Sequence, residues 1–397
     1  MSRVLLVCPE PLGHRQPAGI GIRFLEIEKV LRAAGHTVNI LSPDQGLTPH
    51  NIAAATGEAD VAVVQGHAAN DLFAHMQPLP VVVDLYDPFI IENLHYYSER
   101  GAEVFTHDHA TLVSSLLKGD FFLCSSEAQR MFYLGLMLAV GRLNPIAFES
   151  DPRLDALIRI APFGVGAPRK IPPRASTAPD ILFGGVYDWY DPILAMDAVA
   201  IARAKVPMLT LTFNTHPNPE LTPQSRAAAA IAHARRKNYT FVRFSPWVAY
   251  DERGAYFDRF TMALLTFPRS IETDLAMRTR VYDYLWAGLP IVTSSAPGTD
   301  ELLERYCCGS VVRRDDAETF AAEIVNILTD RPLYERMVDG TRSFVLHHQW
   351  NRTLKPLVDF CAEPKIDRRK EAFSVRMQVP ERPPSILQRI KRRIGRL

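Results

Sequence analysis

The chain has 397 residues, of which 47% are hydrophobic, so it can bury substantial cores, and its length predicts two domains or slightly more. No apolar run reaches the roughly eighteen residues that a membrane-spanning helix needs, which argues against an integral membrane protein built on such helices. The net charge is only +1, and the five cysteines form no CxxC pair, so the sequence predicts a reduced cytoplasmic protein without a disulfide framework.

The first 165 residues are predicted to form one α/β domain. Val4–Cys8 is a continuous apolar run, typical of a strand buried on both faces, and it starts so early that we expect no signal peptide. A glycine loop, a helix over 22–34 and a strand over 37–41 follow, which is how a Rossmann-like unit begins. Spacers long enough for helices separate the later predicted strands, at 61–64, 81–84 and 121–124.

A proline-rich linker over 166–179 precedes a second domain over 180–345, in which the same alternation restarts. Its predicted strands are 181–185, 208–213, 241–244, 262–267 and 290–293, with helices such as 192–204 and 317–328 between them. The predicted fold class is therefore α/β, with two Rossmann-like domains facing across a cleft. Clefts of this kind bind nucleotides or nucleotide-linked substrates.

The most informative segment runs from residue 278 to 294 and predicts a short helix, a glycine turn and a buried strand. It follows the strand over 262–267, at the sheet edge where doubly wound folds bind ligands. Asp283 is a candidate to accept hydrogen bonds from both ribose hydroxyls, and Glu272 is a second candidate acceptor for ligand hydroxyls.

Two arginines in this segment are candidates to meet a diphosphate. Arg278 and Arg280 are two residues apart and do not share a helix face, so we expect at most one to stabilise charge on a departing diphosphate. The alternative is a solvated helix face. Thr279, between them, joins the donor-binding candidates.

A glycine pair ends the first strand of the second domain. Gly184 and Gly185 would let the backbone approach a diphosphate closely, and the following helix would offer its N-terminal N–H groups. Trp189 would then line a sugar or base pocket. The alternative is a tight turn whose aromatic side chains pack on the domain.

The first domain supplies the acceptor-side candidates. The glycine loop with Gly19 and Gly21 does not have GxGxxG spacing, which disfavours a dehydrogenase. We expect the loop to line the cleft, with Arg23 touching a ligand. The alternative is an ordinary turn between strand and helix. Asp84 and Asp87 end a strand at the cleft, where they would bind hydroxyls or cap the next helix. His109 is a further acceptor-side candidate. Together with its neighbours His107 and Asp108, it is not expected to form a metal site.

The C-terminal tail, residues 364–397, carries eleven Lys and Arg against three Asp and Glu, giving +8 against −7 for the rest of the chain. On a helix, Ile386, Leu387, Ile390 and Ile394 would gather on one side and basic residues on the other. This composition favours a helix lying on an anionic membrane surface, with a disordered basic tail as the alternative. Aromatic residues do not interleave with the charges, so nucleic acid is not expected as a partner.

The segment Asp283-Tyr-Leu-Trp-Ala-Gly-Leu-Pro-Ile-Val-Thr resembles the Glu-Ala-Met-Ala-x-Gly-x-Pro-Val-Val signature of retaining, family-4-like glycosyltransferases, which have the GT-B fold. By this match Asp283 stands where the family's glutamate holds the nucleotide ribose. The Gly184-Gly185 turn resembles the glycine-rich first turn of the family's donor domain. Residues 346–363 are similar to the helix that returns to the first domain.

The resemblance implies transfer of a sugar from a nucleotide-diphosphate sugar to a glycan or lipid-linked acceptor, in surface polysaccharide or glycoconjugate synthesis. The implied enzyme is retaining, without a metal or other cofactor, and cytoplasmic or peripheral on the inner membrane face. Trp247 would lie near the base, and closure across the cleft would exclude water. Residue 275, eight before Asp283, is a leucine where the family has its other glutamate, so Glu272 is expected to substitute.

The family's diphosphate-neutralising Arg and Lys have no counterparts here, which leaves that task to Arg278 or Arg280. Two alternatives stay open. One is a GT-B sugar-nucleotide epimerase, and the other is a transferase-like binding subunit without activity.

Overall fold

The computed structural model describes residues 1–13, 19–97, 101–172, 178–215 and 225–371. Two six-stranded, fully parallel sheets with flanking helices form the described part of the chain. The strand orders are β2-β1-β3-β4-β5-β6 and β12-β11-β10-β7-β8-β9. This architecture confirms the predicted fold class.

The first sheet is built from residues before 161. Its strands are β1 Arg3–Val7, β2 Thr37–Leu41, β3 Val61–Val64, β4 Val81–Asp84, β5 Phe121–Cys124 and β6 Ile158–Ile160. The helices of this part are α1 Gly19–Ala33, α2 Pro49–Glu58, α3 Ala68–His75, α4 Phe89–Glu92, α5 Ala102–Lys118, α6 Glu127–Ala139 and α7 Pro145–Ser150. All four residues of β3, β4 and β5 are buried, which explains their uninterrupted apolar sequence.

The second sheet begins at residue 180. Its strands are β7 Asp180–Gly185, β8 Thr210–Asn214, β9 Val242–Ser245, β10 Met262–Leu265, β11 Ile291–Ser294 and β12 Gly309–Val312. The helices are α8 Pro192–Ala202, α9 Ser225–Arg236, α10 Arg253–Phe257, α11 Ile271–Leu275, α12 Thr279–Trp286, α13 Pro297–Tyr306 and α14 Ala317–Thr329.

Three further helices follow, α15 Arg331–His347, α16 Trp350–Thr353 and α17 Lys355–Ala362. The last two lie against the first domain. Phe360 stacks on Phe121 of β5 with ring centroids 4.7 Å apart, and the Ser2 hydroxyl donates to the Cys361 carbonyl at 2.6 Å. The chain therefore returns to the first domain at its last two helices.

Two strands were not predicted from the sequence, β6 and β12, and both lie at an edge of their sheet. β6 has three residues, of which Arg159 and Ile160 are exposed, and β12 begins with a glycine and is mostly half-buried. An edge strand needs no continuous apolar run, so it leaves a weak signal in the sequence.

Buried polar contacts also hold the end of the described chain to the first domain. Arg142 of the α6–α7 connection donates to Asp367 at 2.7 Å, and Lys370 pairs with Asp120 at 2.8 Å. Among the described residues, no helix combines the length and the apolar character needed to cross a membrane. The tail segment proposed to lie on a membrane, residues 385–397, falls outside the described residues.

Candidate active site

A cavity of about 350 Å³ lies between the two domains, at the carboxyl ends of β4 and β7. The first domain contributes Glu10, Gly19, Tyr86, Asp87 and Glu92 to its lining. The second contributes a mostly aromatic wall that includes Tyr187, Trp189, Tyr190, Trp247, Tyr250 and Tyr256. Most donor-side residues predicted from sequence, namely Gly184, Gly185, Trp189, Trp247, Arg278, Thr279, Arg280 and Asp283, line this one cavity.

The glycine pair at the end of β7 is required by close packing. Gly184 has a φ of +83°, which favours glycine, and a Cβ there would lie 2.2 Å from the hydroxyl of Tyr284. A Cβ on Gly185 would lie 2.9 Å from the ring of Trp247. The turn therefore leaves bare backbone at the cavity wall.

Arg280 is a cavity arginine whose positive charge is not balanced by a carboxylate among the described residues. Its guanidinium donates to the carbonyls of Gly185 at 2.6 Å and Phe183 at 3.3 Å, and it lies 4.3 Å from the ring centroid of Tyr190. None of the ion pairs found in the described part of the chain includes Arg280. Its carbonyl contacts orient the guanidinium without neutralising it, so an anionic ligand in the cavity would meet an uncompensated positive charge.

Arg278 differs, because its charge is already balanced. It makes a two-pronged ion pair with Glu272, with nitrogen–oxygen distances of 2.5 and 2.6 Å. The side chains are 4% and 1% exposed. Of the two arginines, only Arg280 lacks a carboxylate partner among the described residues, and Glu272 is bound to Arg278 rather than open to ligand hydroxyls.

Asp283 lies on α12 beside the cavity and accepts a hydrogen bond from Nε of Arg253 at 3.1 Å. Burial raises the pKa of Asp283, and Arg253 counteracts the rise. Arg253 itself lies 3.5 Å from the ring centroid of Tyr250. The sequence did not indicate Arg253 or Tyr250; their only signal was their place in the segment that follows β9, on the same sheet edge.

Two acceptor-side predictions differ from the structure. Arg23 and Asp84 form an ion pair at 2.6 Å, and both side chains are 0% exposed. Arg23 also donates to the carbonyls of Ala161 and Pro162. The pair therefore connects α1 to β4 and to the segment just before the interdomain linker. Neither side chain is accessible to an acceptor in this conformation.

His109 lies on the exposed side of α5 and does not line the cavity. Its neighbour Asp108 is buried and binds Nε2 of His67 at 3.0 Å, with Asn93 and Tyr97 as further donors. Across the described ranges, no group of three or more His, Cys, Asp or Glu side chains is arranged to hold a metal ion.

The two glycines of the N-terminal loop have different surroundings. Gly19 lies against Thr279 of the other domain, since its Cβ would be 3.6 Å from the methyl group of that threonine. Gly21 is buried, and its N–H donates to the Glu10 carboxylate at 2.9 Å. Asp87 reaches the cavity as predicted from its place after β4, together with Glu92, which the sequence analysis did not select.

Comparison with known proteins agrees with this geometry. Residues 179–330 match the family described as "Glycosyl transferases group 1". The second domain is therefore similar to the glycosyl transferases of group 1, and the two sheets have the arrangement of the GT-B fold. The glycine turn and α12, which form one wall of the cavity, lie within the matched segment.

Solved structures with the same fold cover nearly all of this chain. Sucrose-phosphate synthase from Thermosynechococcus elongatus is 12% identical with a TM-score of 0.64, covering 91% of this chain and 99% of that chain. Anabaena HepE in complex with UDP and glucose has the same identity and TM-score, covering 91% and 100%.

The trehalose-6-phosphate protein from E. coli, bound with UDP-2-fluoro glucose, is 12% identical with a TM-score of 0.62, covering 92% and 100%. At this level of identity the likeness concerns the fold. No curated protein sequence matches the chain.

Proposed function

We propose that this glycosyltransferase moves a sugar from a uridine-diphosphate sugar to a hydroxyl of a glycan or lipid-linked acceptor. The observation that carries the proposal is Arg280, held by backbone carbonyls and free of any carboxylate partner within the described residues, beside the Gly184-Gly185 turn. Uridine is favoured because the Anabaena and E. coli structures of this fold hold UDP or a UDP-sugar analogue.

In this proposal the acceptor oxygen forms a bond to the anomeric carbon while the bond from that carbon to the diphosphate oxygen breaks. The leaving diphosphate takes the electron pair and accepts the proton of the acceptor hydroxyl, and Arg280 stabilises the negative charge that develops on the diphosphate. Asp283 and the aromatic wall with Trp247 would hold the nucleoside. By the resemblance to family-4-like enzymes, we propose a retaining outcome and a reaction that proceeds without a metal or other cofactor.

Thermal unfolding of the purified protein with UDP, GDP, dTDP, CMP and NADH tests the donor. A ligand at a hundred times its dissociation constant stabilises the native state by roughly 2.7 kcal/mol, so a bound nucleotide raises the Tm clearly. We expect a shift with UDP that Arg280→Met largely removes, because the methionine keeps the stem but not the charge.

Arg305→Met, which changes an exposed arginine of α13 paired with Glu301, is the matched control and should leave the shift intact. Absence of a shift with every diphosphate would contradict the proposal and favour an inactive binding subunit. Turnover of the donor sugar without any acceptor would favour an epimerase.

We further propose that the enzyme acts at the inner membrane face in glycoconjugate synthesis, with its tail on anionic lipid. The basis is the positive charge of residues 364–397 and the amphipathic order of residues 385–397. The second of these segments lies beyond the last described residue, Glu371. Truncation after Pro383 should abolish sedimentation with vesicles rich in phosphatidylglycerol, and equal sedimentation of both forms would contradict this part.

A further inference from the structure

Asn214 is a buried polar residue at the cavity that the transfer described above does not use. It is the last residue of β8, it is 9% exposed, and it lines the cavity. Its neighbour across the sheet is Gly185, because the two residues are paired in the parallel register of β7 and β8. Adjacent strands lie about 4.8 Å apart, so Asn214 lies directly beside the glycine turn.

The amide nitrogen of Asn214 is fully occupied. Nδ2 donates to the Pro246 carbonyl at 3.0 Å and to the hydroxyl oxygen of Tyr256 at 2.8 Å. A side-chain amide has two N–H groups, so both are used. Because the Pro246 carbonyl can only accept a hydrogen bond, the amide nitrogen must face it and the amide oxygen must lie on the other side.

The amide oxygen of Asn214 remains as a hydrogen-bond acceptor. None of the described residues donates a hydrogen bond to Oδ1. Since Oδ1 is not fully buried, this acceptor is accessible from the cavity that Asn214 lines. A ligand that displaces water from this wall must bring an N–H or O–H group to Oδ1, because a buried acceptor left without a donor costs free energy.

Aromatic rings near Asn214 suit a planar base. Pro246 precedes Trp247, whose ring lies against the glycine turn, since a Cβ on Gly185 would be 2.9 Å from it. Tyr256, which accepts from Nδ2, lines the same wall. A flat heterocycle that packs against these rings would present its polar edge to Asn214.

We propose that Asn214 is a specificity-determining residue, whose Oδ1 accepts a hydrogen bond from the N3–H group of the uracil ring. The inference rests on the proposed function, because it assigns the base of the proposed uridine-diphosphate donor to this part of the cavity. Uracil carries a hydrogen at N3, whereas cytosine has a lone pair there. Cytosine would therefore place one acceptor against another and leave both without a donor.

Two ligands test this contact on the intact protein. In 3-methyluridine diphosphate a methyl group replaces the N3 hydrogen, and CDP has an acceptor at N3. Isothermal titration calorimetry with the wild type should give dissociation constants at least about tenfold higher for both than for UDP, because each lacks the donor. Affinity for either ligand equal to that for UDP would overturn the proposal.

Substitution of Asn214 tests whether it is the residue that recognises N3. In Asn214→Ala and Asn214→Leu, the preference for UDP over the other two ligands should fall below about threefold, because no acceptor remains. Leucine keeps nearly the volume of asparagine, so the result does not depend on the space that alanine leaves. Asn326→Ala, at an exposed position of α14, is the matched control and should keep the full preference. Full preference in either Asn214 variant would show that another group recognises N3.

The choice of ligands separates this inference from the proposed function. Each preference is a ratio measured within one protein, so a general loss of nucleotide affinity cancels from it. A wild type that binds UDP, CDP and 3-methyluridine diphosphate equally well would overturn the inference and leave a nucleotide donor in place. Weak binding of 2′-deoxy-UDP that Asn214→Ala corrects would assign Oδ1 to the ribose and overturn the base contact. Failure of the wild type to bind any of these nucleotides would overturn the proposed function, and this inference with it.

Discussion

Buried ion pairs determine which charged residues remain available to a substrate. Arg23 is neutralised by Asp84 and Arg278 by Glu272, whereas Arg280 is bonded only to carbonyl oxygens in the described structure. A charge that is already paired and desolvated adds little attraction for a second anion, because its field is compensated locally. The three arginines are therefore equivalent in the sequence but not in the folded protein.

Asp84→Asn tests whether the first of these pairs is structural. It leaves the Arg23 guanidinium buried without its counter-charge, and we expect a loss of about 3–5 kcal/mol in the free energy of unfolding, measured by urea denaturation. The double variant Arg23→Met, Asp84→Leu should recover most of this stability. Normal stability together with a loss of sugar transfer would show instead that Asp84 acts on the acceptor.

At the level of secondary structure, the site depends on where β7 and α12 meet. β7 ends in two glycines at the cavity wall, and α12 begins there with Thr279. The hydroxyl of Tyr284 on α12 donates to the Phe183 carbonyl of β7 at 2.9 Å, which fixes the helix against the strand. This contact occupies the volume that a side chain on Gly184 would need.

Gly184→Ala should therefore destabilise the protein and weaken UDP binding, because φ at this position is +83° and the new Cβ would overlap Tyr284. Gly135→Ala is the matched control, since Gly135 lies within α6 and a Cβ there would meet nothing within 4 Å. The control should stabilise the protein by roughly 0.5–1 kcal/mol. Thermal unfolding with and without UDP measures both effects, and equal behaviour of the two variants would contradict the proposed packing.

For the whole molecule, hydrogen bonds across the cleft hold the domains together beside the cavity. The Tyr86 hydroxyl donates to the Met277 carbonyl at 3.1 Å, and Nε2 of Gln129 donates to the Leu275 carbonyl at 2.9 Å. The same Nε2 also donates to the Tyr86 carbonyl within the first domain, at 3.0 Å. Gln129 is buried on α6, so its amide has no access to water that would replace these bonds. The first domain thereby fixes the loop between α11 and α12.

Gln129→Leu removes the bonds from Gln129 while keeping the side chain's approximate size. We expect the KM for the donor to rise about fivefold, because one hydrogen bond contributes on the order of 1 kcal/mol. The lost bond holds the loop that leads to Arg278 and Thr279, which line the donor side of the cavity. Gln77→Leu, at an exposed position, should leave donor KM unchanged. Initial-rate kinetics at saturating acceptor make the comparison, and an unchanged KM in Gln129→Leu would show that this contact does not contribute to donor binding.

The sequence by itself determined the architecture and the position of the donor wall. Short segments rich in apolar residues predicted ten strands, and the glycine pair and Asp283 could be placed because parallel strands present their carboxyl ends at one sheet edge. These are local patterns, and each is encoded within a few neighbouring residues.

Only the tertiary structure decided which charged groups are paired and which are not. Arg23 meets Asp84 across 61 positions in the sequence, and Asp283 meets Arg253 across 30. Electrostatic partners depend on distances between segments remote in the chain, and hydrophobic patterning carries no information about them. The division of the arginines into paired and unpaired ones is therefore a property of the fold.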